Sequence, residues 1–168
     1  DYGHTDMAKK DIIKLFPDLE KVPFDTPKPV KLIKMLAIIG SKENDIVLDF
    51  FSGSATTAQA IMELNAEKTD GNRKYILVQL PEKIKDNPQA INIGLDTICE
   101  VGKERIRRAG KKIKEESPLT TQDLDTGFRV LKLDSTNMQD IYYSPKDISQ
   151  ADLFSQVDNV KPDRTGED

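Results

Sequence analysis

Apolar positions along the chain change period several times, and each change marks an element. Residues 6–16 (DMAKKDIIKLF) carry the spacing of a short helix, which Pro17 stops. Pro23, Pro27 and Pro29 then impose an extended, turn-rich lead-in, because each ring fixes φ and disfavours helix in the residue before it. From Val30 to Ile39 the positions Ile33, Leu36, Ala37 and Gly40 recur at helical spacing, with Gly40 as the stop. Asn44 and Asp45 turn the chain into DIVLDFF, a β-branched and aromatic run that reads as a buried strand. A small-residue turn, FSGSATT, leads into a helix over about Thr56–Leu64 that packs through Ile61 and Leu64. After the polar loop NAEKTDGNRK, YILVQL reads as a second buried strand. Strand 46–50, helix and strand 75–80 form one βαβ unit, so the two strands are expected parallel and adjacent at the buried centre of a sheet.

Further on, Ile91, Leu95, Ile98, Gly102, Arg105 or Ile106, Ala109 and Ile113 step by three or four and predict one long helix. SPLTTQDLDT breaks it, and GFRVLKLD reads as another strand. After Asn137 the pattern fades into YYSPKD and a polar, acidic tail, and residues 150–168 are expected to be poorly packed unless a partner covers them. No internal repeat is visible.

Composition narrows the function. With 168 residues, 37% hydrophobic and 32% charged, the chain allows one domain, or one domain and a tail. The lone cysteine, Cys99, excludes an intrachain disulfide and an all-cysteine metal site, and with His4 as the sole histidine a Cys/His metal site or a Ser-His pair has almost nothing to draw on. Neither residue is expected to be catalytic; Cys99 should behave as a small hydrophobe. No apolar run approaches the roughly 20 residues that span a bilayer, and no signal peptide opens the chain. These features imply a soluble protein of a reducing compartment with no metal site. A start at Asp1 rather than Met suggests a piece of something longer. The net charge of −4 is unevenly spread, with seven Lys/Arg against one acid over residues 103–114. That basic block reads either as a solvated helix face suited to the helix dipole or as a contact for phosphate or an acidic partner.

The segment with chemical promise is Asp45–Gln59, DIVLDFFSGSATTAQ. A strand ending in Asp49 runs through Ser52-Gly53-Ser54-Ala55 into a helix, which would place backbone N–H groups and a helix N-terminus at the carboxyl end of a sheet strand. Open α/β sheets bind ligands there. Thr56 or Thr57 can cap the helix or bond a ligand. A dinucleotide would need G-x-G-x-x-G, and only Gly53 is present; no Gly-Lys-Ser/Thr of a phosphate-binding loop occurs. A tight βα turn without a ligand remains the plain alternative.

The segment Asp49-Phe50-Phe51-Ser52-Gly53-Ser54-Ala55 resembles motif I of S-adenosylmethionine-dependent methyltransferases, with Ala55 where many relatives carry glycine. Upstream, Phe24-Asp25-Thr26-Pro27-Lys28-Pro29 resembles their motif X, although a proline-bounded helix start would read the same. Downstream, Arg73–Leu80 resembles their second strand, with Gln79 where an acidic residue often binds the ribose. Motif X directly before motif I is the permuted order of the β class of amino-methyltransferases acting on DNA. Together with the ERIRRAGKKIKEE helix and GFRVLKLDSTN, the chain resembles the C-terminal part of the modification subunit of a type III restriction-modification system, over roughly residues 1–140.

The resemblance implies an α/β, Rossmann-like fold, present in part, with a mostly parallel sheet flanked by helices. Residues 1–140 would be the C-terminal part of a methyltransferase domain, and 141–168 an acidic tail or the start of a subunit-interaction region. It implies methyl transfer from S-adenosyl-L-methionine to adenine N6, with Thr26, Lys28, Pro29, Asp49, Phe51, Ser52, Gly53, Ser54, Ala55, Thr56 and Gln79 around the cofactor. The methionine end would lie over Ser52–Thr56, its ammonium near Asp49, with Lys28 and Pro29 lining the other wall. Double-stranded DNA, a restriction endonuclease subunit and a second copy of the full-length subunit are the implied partners, in a bacterial cytoplasm. The catalytic (Asp/Asn/Ser)-Pro-Pro-(Tyr/Phe/Trp) tetrapeptide is missing, because no two of the nine prolines are adjacent. No catalytic residue is therefore assigned. An inactive assembly module and an N4-cytosine methyltransferase fragment stay open as alternatives. The Tyr142-Tyr143 pair reads as interface or core packing, or as a base-stacking pair.

Overall fold

The computed structural model describes residues 5–67, 71–138 and 160–164. His4, the Tyr142-Tyr143 pair and most of the acidic tail lie outside the described residues. The chain divides into two compact units, Asp1–Gly127 and Phe128–Asp168.

The first unit holds every named element. Helix α1 is Thr5–Leu15, and α2 is Val30–Gly40 after an extended Pro29. Strand β1, Ile46–Asp49, leads into α3, Thr56–Glu67, and then β2, Lys74–Leu77. The two strands pair in parallel, with Ile46 opposite Lys74 and Asp49 opposite Leu77. This is the βαβ unit predicted from the sequence. Ile61 and Leu64 of α3 pack with Ala37 of α2 against Val47 and Tyr75 on one sheet face. Asn65 closes the unit by a reciprocal clasp, accepting from Arg73 N at 3.0 Å and donating to Arg73 O at 2.9 Å.

Two expectations about this sheet need correction. The strands are shorter than 46–50 and 75–80, and they are not a buried centre. Ile46, Leu48 and Ile76 on the opposite face are 60%, 59% and 51% exposed. Side chains alternate faces along a strand, and among the described residues the helices pack against the face carrying Val47 and Tyr75.

The long helix from Ile91 is also corrected. It is two helices, α4 at Pro88–Asn92 and α5 at Ile98–Glu116. Gly94 between them takes φ +86, a left-handed conformation that ends a helix at little cost to glycine. Thr97 then caps α5 by accepting from Glu100 N at 3.2 Å, and Asn87 caps α4 by accepting from Ala90 N at 3.1 Å. Both capping residues are of the types that satisfy the orphan N–H groups of a first turn. In the second unit, residues 128–134 form no strand, with Leu131 and Leu133 89% and 97% exposed. Its one described bridge joins Met138 to Val160, backed by Lys161 N donating to Asn137 O at 2.8 Å.

Helix α5 carries the basic block, and most of that charge is spent within the chain. Arg105 is buried. Lys103 pairs with Glu100, Arg107 with Glu104, Lys111 with Glu115 and Lys112 with Glu116. Arg108 lies 4.5 Å from the centre of the Phe16 ring, donates to Leu15 O at 3.1 Å, and pairs with Glu104 and Asp18. Most of the block is thus paired along α5 itself, and Arg108 ties α5 to the end of α1.

The Arg108 hydrogen bond holds the Asp18 carboxyl below its ordinary 3.8. The folded state thus binds fewer protons there than the unfolded one, so this stabilisation is complete above the ordinary value and is lost as pH falls through the folded one. Asp18→Asn is accordingly expected to be less stable than the parent near about pH 7, with the two converging in strong acid. Urea midpoints measured across that range check it; a constant gap at every pH would remove Asp18 from the acid response.

Candidate functional site

The turn between β1 and α3 is built by three interlocked segments. Asp49, the last residue of β1, accepts from Phe51 N at 3.2 Å and from Thr57 Oγ1 at 2.6 Å. Gly53 has φ +51 and Ala55 φ +59, so two left-handed residues flank Ser54 and reverse the chain within a few residues. Glycine takes that conformation freely, whereas alanine carries a strain of about 1–2 kcal/mol. Ala55 is nonetheless buried, and α5 lies directly behind it. A Cβ built on Gly102 would sit 3.5 Å from both Ala55 Cβ and Gly53 O.

Several of the turn's N–H groups are already spent within the chain. Ser52 N donates to Val78 O at 3.2 Å, Ala55 N to Ser52 O at 2.8 Å, and Gly53 N to Gln79 Oε1 at 2.7 Å. What the turn offers outward is the first turn of α3, whose leading N–H groups have no intrahelical acceptor, together with hydroxyls.

A cavity of about 180 Å³ opens on this turn. It is lined by Phe24, Thr26, Lys28 and Ile33 on one wall, and by Asp49, Phe51, Ser52, Gly53, Ser54, Thr56 and Thr57 on the other. Eight of the eleven sequence-predicted residues thus meet at one place: Thr26, Lys28, Asp49, Phe51, Ser52, Gly53, Ser54 and Thr56. The other three do not line it. Pro29 is the extended residue before α2, Ala55 is buried against α5, and Gln79 holds the Gly53 amide instead of facing the cavity. Phe51 sits at the rim, 79% exposed. Thr57, read from the sequence as able to cap the helix or bond a ligand, lines it as well, and Phe24 and Ile33 complete the lining; Phe24 touches the turn closely enough that a Cβ on Gly53 would meet its ring at 3.2 Å.

Arg105 is the most informative omission. Its guanidinium reaches the back of the turn from α5, donating to Ser54 Oγ at 2.9 Å, Thr56 Oγ1 at 2.7 Å, Ser54 O at 3.3 Å and Gln59 Oε1 at 2.9 Å. Burial pushes it down to about 10, which still leaves it charged at neutral pH. The signal was its place on the apolar stripe of the helix, where a charge needs a reason. Cys99 is half-buried, its Sγ donates to Gln79 O at 3.4 Å, and burial pushes its thiol up. No cluster of metal-ligating side chains occurs among the described residues, and no helix among them is long and apolar enough to cross a membrane.

The stretch that holds the strand-end carboxylate, the small-residue turn and the Lys-bearing lead-in lies within residues 5–100, which match a family model described as DNA methylase. The chain belongs to that family. It resembles the modification subunits of type III restriction-modification enzymes: it is 42% identical over 122 residues to the StyLTI Mod subunit of Salmonella typhimurium, covering 73% of this chain and 18% of that protein. It is 43% identical over 110 residues to the EcoPI Mod subunit of Escherichia phage P1, covering 64% of this chain and 16% of that one. The type II methyltransferase M.KpnI of Klebsiella pneumoniae is 35% identical over 103 residues, 61% of this chain and 24% of that enzyme. The chain thus spans about a fifth of the length of these relatives.

Proposed function

We propose that this chain is the cofactor-binding part of a DNA methyltransferase that moves the methyl group of S-adenosylmethionine to adenine N6. The observation that carries the reading is the single cavity uniting Asp49, the Ser52–Ser54 turn, Thr56 and the Thr26–Lys28 segment. Its lining suits the cofactor's parts. Asp49 can meet an ammonium, Lys28 and the start of α3 a carboxylate, and Phe24 and Phe51 an apolar or ring surface. In this reading the βαβ unit is part of a larger Rossmann-like sheet, with the methyltransferase portion over residues 1–140 and an interaction region in 141–168.

When bound, the cofactor supplies an electrophilic methyl group to the target amine. The residues of this chain hold it: the turn keeps small side chains at the closest approach, and Thr57 keeps the Asp49 carboxylate oriented by its hydrogen bond. Gln79 is assigned a supporting role, fixing Gly53 rather than bonding the ribose. The tetrapeptide that would receive a flipped adenine is absent from this sequence. Double-stranded DNA, a restriction endonuclease subunit and a second copy of the full-length subunit are the proposed partners, in a bacterial cytoplasm.

The chain by itself should bind the cofactor weakly. Each hydrogen bond missing from an incomplete pocket is worth roughly 0.5–1.5 kcal/mol, and lost apolar cover adds about 25 cal/mol per Å². Losing two or three such contacts weakens binding by about one to three powers of ten. Calorimetric titration of S-adenosylmethionine into the full-length protein and into this chain should give that ratio, and the chain alone should transfer no tritiated methyl group to DNA. A full-length protein that does not bind the cofactor would overturn the proposal.

A further inference from the structure

Arg105 poses a question that the turn's geometry answers. The residue is 1% exposed, and every acceptor named for its guanidinium (Gln59 Oε1, Ser54 O, Ser54 Oγ and Thr56 Oγ1) is uncharged. Glu63 and Asp11 act on it only through space. The Glu63 carboxylate is already held by Lys34 at 3.3 Å and by Gln59 Nε2 at 3.0 Å. A cation taken out of water and given neutral partners alone is costly, whereas neutral hydrogen-bonding side chains could have clamped the same turn without that cost.

Two of its acceptors, Ser54 and Thr56, also line the cavity. One layer of residues therefore separates the charge from whatever binds there. Thr57 holds the Asp49 carboxylate at the same helix start, so a negative charge stands there that would oppose an anionic ligand group, and the cations set against it are Lys28 on the facing wall and Arg105 behind the turn.

We propose that Arg105 is the positioning residue for the carboxylate end of the cofactor, clamping Ser54 and Thr56 while keeping the start of α3 positive despite Asp49. The helix terminus and the buried cation add with the same sign at that spot. Arg105 touches no ligand atom; it acts through the two side chains it holds. The inference rests on the S-adenosylmethionine reading above.

The test compares two probes in the full-length protein, S-adenosylhomocysteine and 5′-methylthioadenosine, which shares the nucleoside thioether but lacks the amino-acid end. Arg105→Gln should weaken the first by about tenfold, equal to about 1.4 kcal/mol, and the second by less than about twofold. Equal loss for both probes would make Arg105 a structural clamp and overturn the proposal. Should the glutamine variant not fold, Arg105→Lys decides: it keeps the charge, so the ratio of the two affinities should stay within about threefold of the parent's. A ratio that collapses with the charge retained also overturns it. If the unaltered protein binds neither probe, the cofactor reading itself falls, a result distinct from either variant outcome.

Discussion

Replacing Gly53 by leucine is expected to lower the affinity of the full-length protein for the proposed cofactor, S-adenosylmethionine, by at least about a hundredfold, or roughly 2.8 kcal/mol. Gly53 lines the cavity together with Asp49 and Ser54. A Cβ there would lie 3.2 Å from Phe24 Cζ, so a longer side chain has either the Phe24 wall or the cavity to enter. The backbone adds a second effect. At φ +51 an L-residue carries strain of about 1–2 kcal/mol, so the leucine variant should also melt earlier. Gly40→Ala is the control, since a Cβ at that position meets nothing within 4 Å. Binding of Gly53→Leu at parental affinity would remove this turn from the site.

Ile61→Ala is expected to destabilise the first unit by about 2–5 kcal/mol. Ile61 is fully buried in α3 and joins Leu64 and Ala37 against Val47 and Tyr75. Truncation removes apolar atoms from the helix-covered face of the two-stranded sheet and leaves a cavity among these side chains. Because domains of this size are marginally stable, that loss is a large fraction of the total. Equilibrium urea unfolding of the two proteins measures it. A change below about 1 kcal/mol would mean that the α3–sheet contact contributes little to the fold.

The βαβ unit was legible because its signals agree. IVLD and KYIL are short apolar runs, Ser52–Ala55 can only be a turn, and Ile61 and Leu64 fall on one helical face. The break after α4 was not read because Ile91, Leu95, Ile98 and Gly102 keep a helical step straight through it. The contrary signals, Gly94 and the Thr97-x-x-Glu100 spacing of a capping box, lie between those positions. GFRVLKLD has the composition of a strand, but pairing is not encoded within a segment, and residues 128–134 form no strand. At the site, residue types near Asp49 and Lys28 were legible from local motifs. Gln79 and Arg105 were not, since Gln79 turns to the Gly53 amide and Arg105 reaches the turn from a helix 46 residues away in sequence from Gln59.

The stretch between β2 and α5 is a loop closed at its neck. Lys83 bridges Thr97, Ile84 N donates to Asp96 O at 2.8 Å, and Ile98 N donates to Glu82 O at 2.9 Å. Strand and helix are therefore joined across the neck, whatever length of chain runs around the loop. Extra residues added beyond the neck lengthen it without separating β2 from α5, and the entropic cost of a longer closed loop grows only logarithmically. Position matters within it. Asn87 donates to Lys21 O at 3.1 Å and Gln89 accepts from Glu20 N at 3.0 Å, so cargo spliced in there would disturb the lead-in to Lys28. Gly94 has open space where a side chain would go, yet its φ of +86 strains any other residue by about 1–2 kcal/mol, so a tag or fluorophore carried by a side chain there would weaken the turn between α4 and α5.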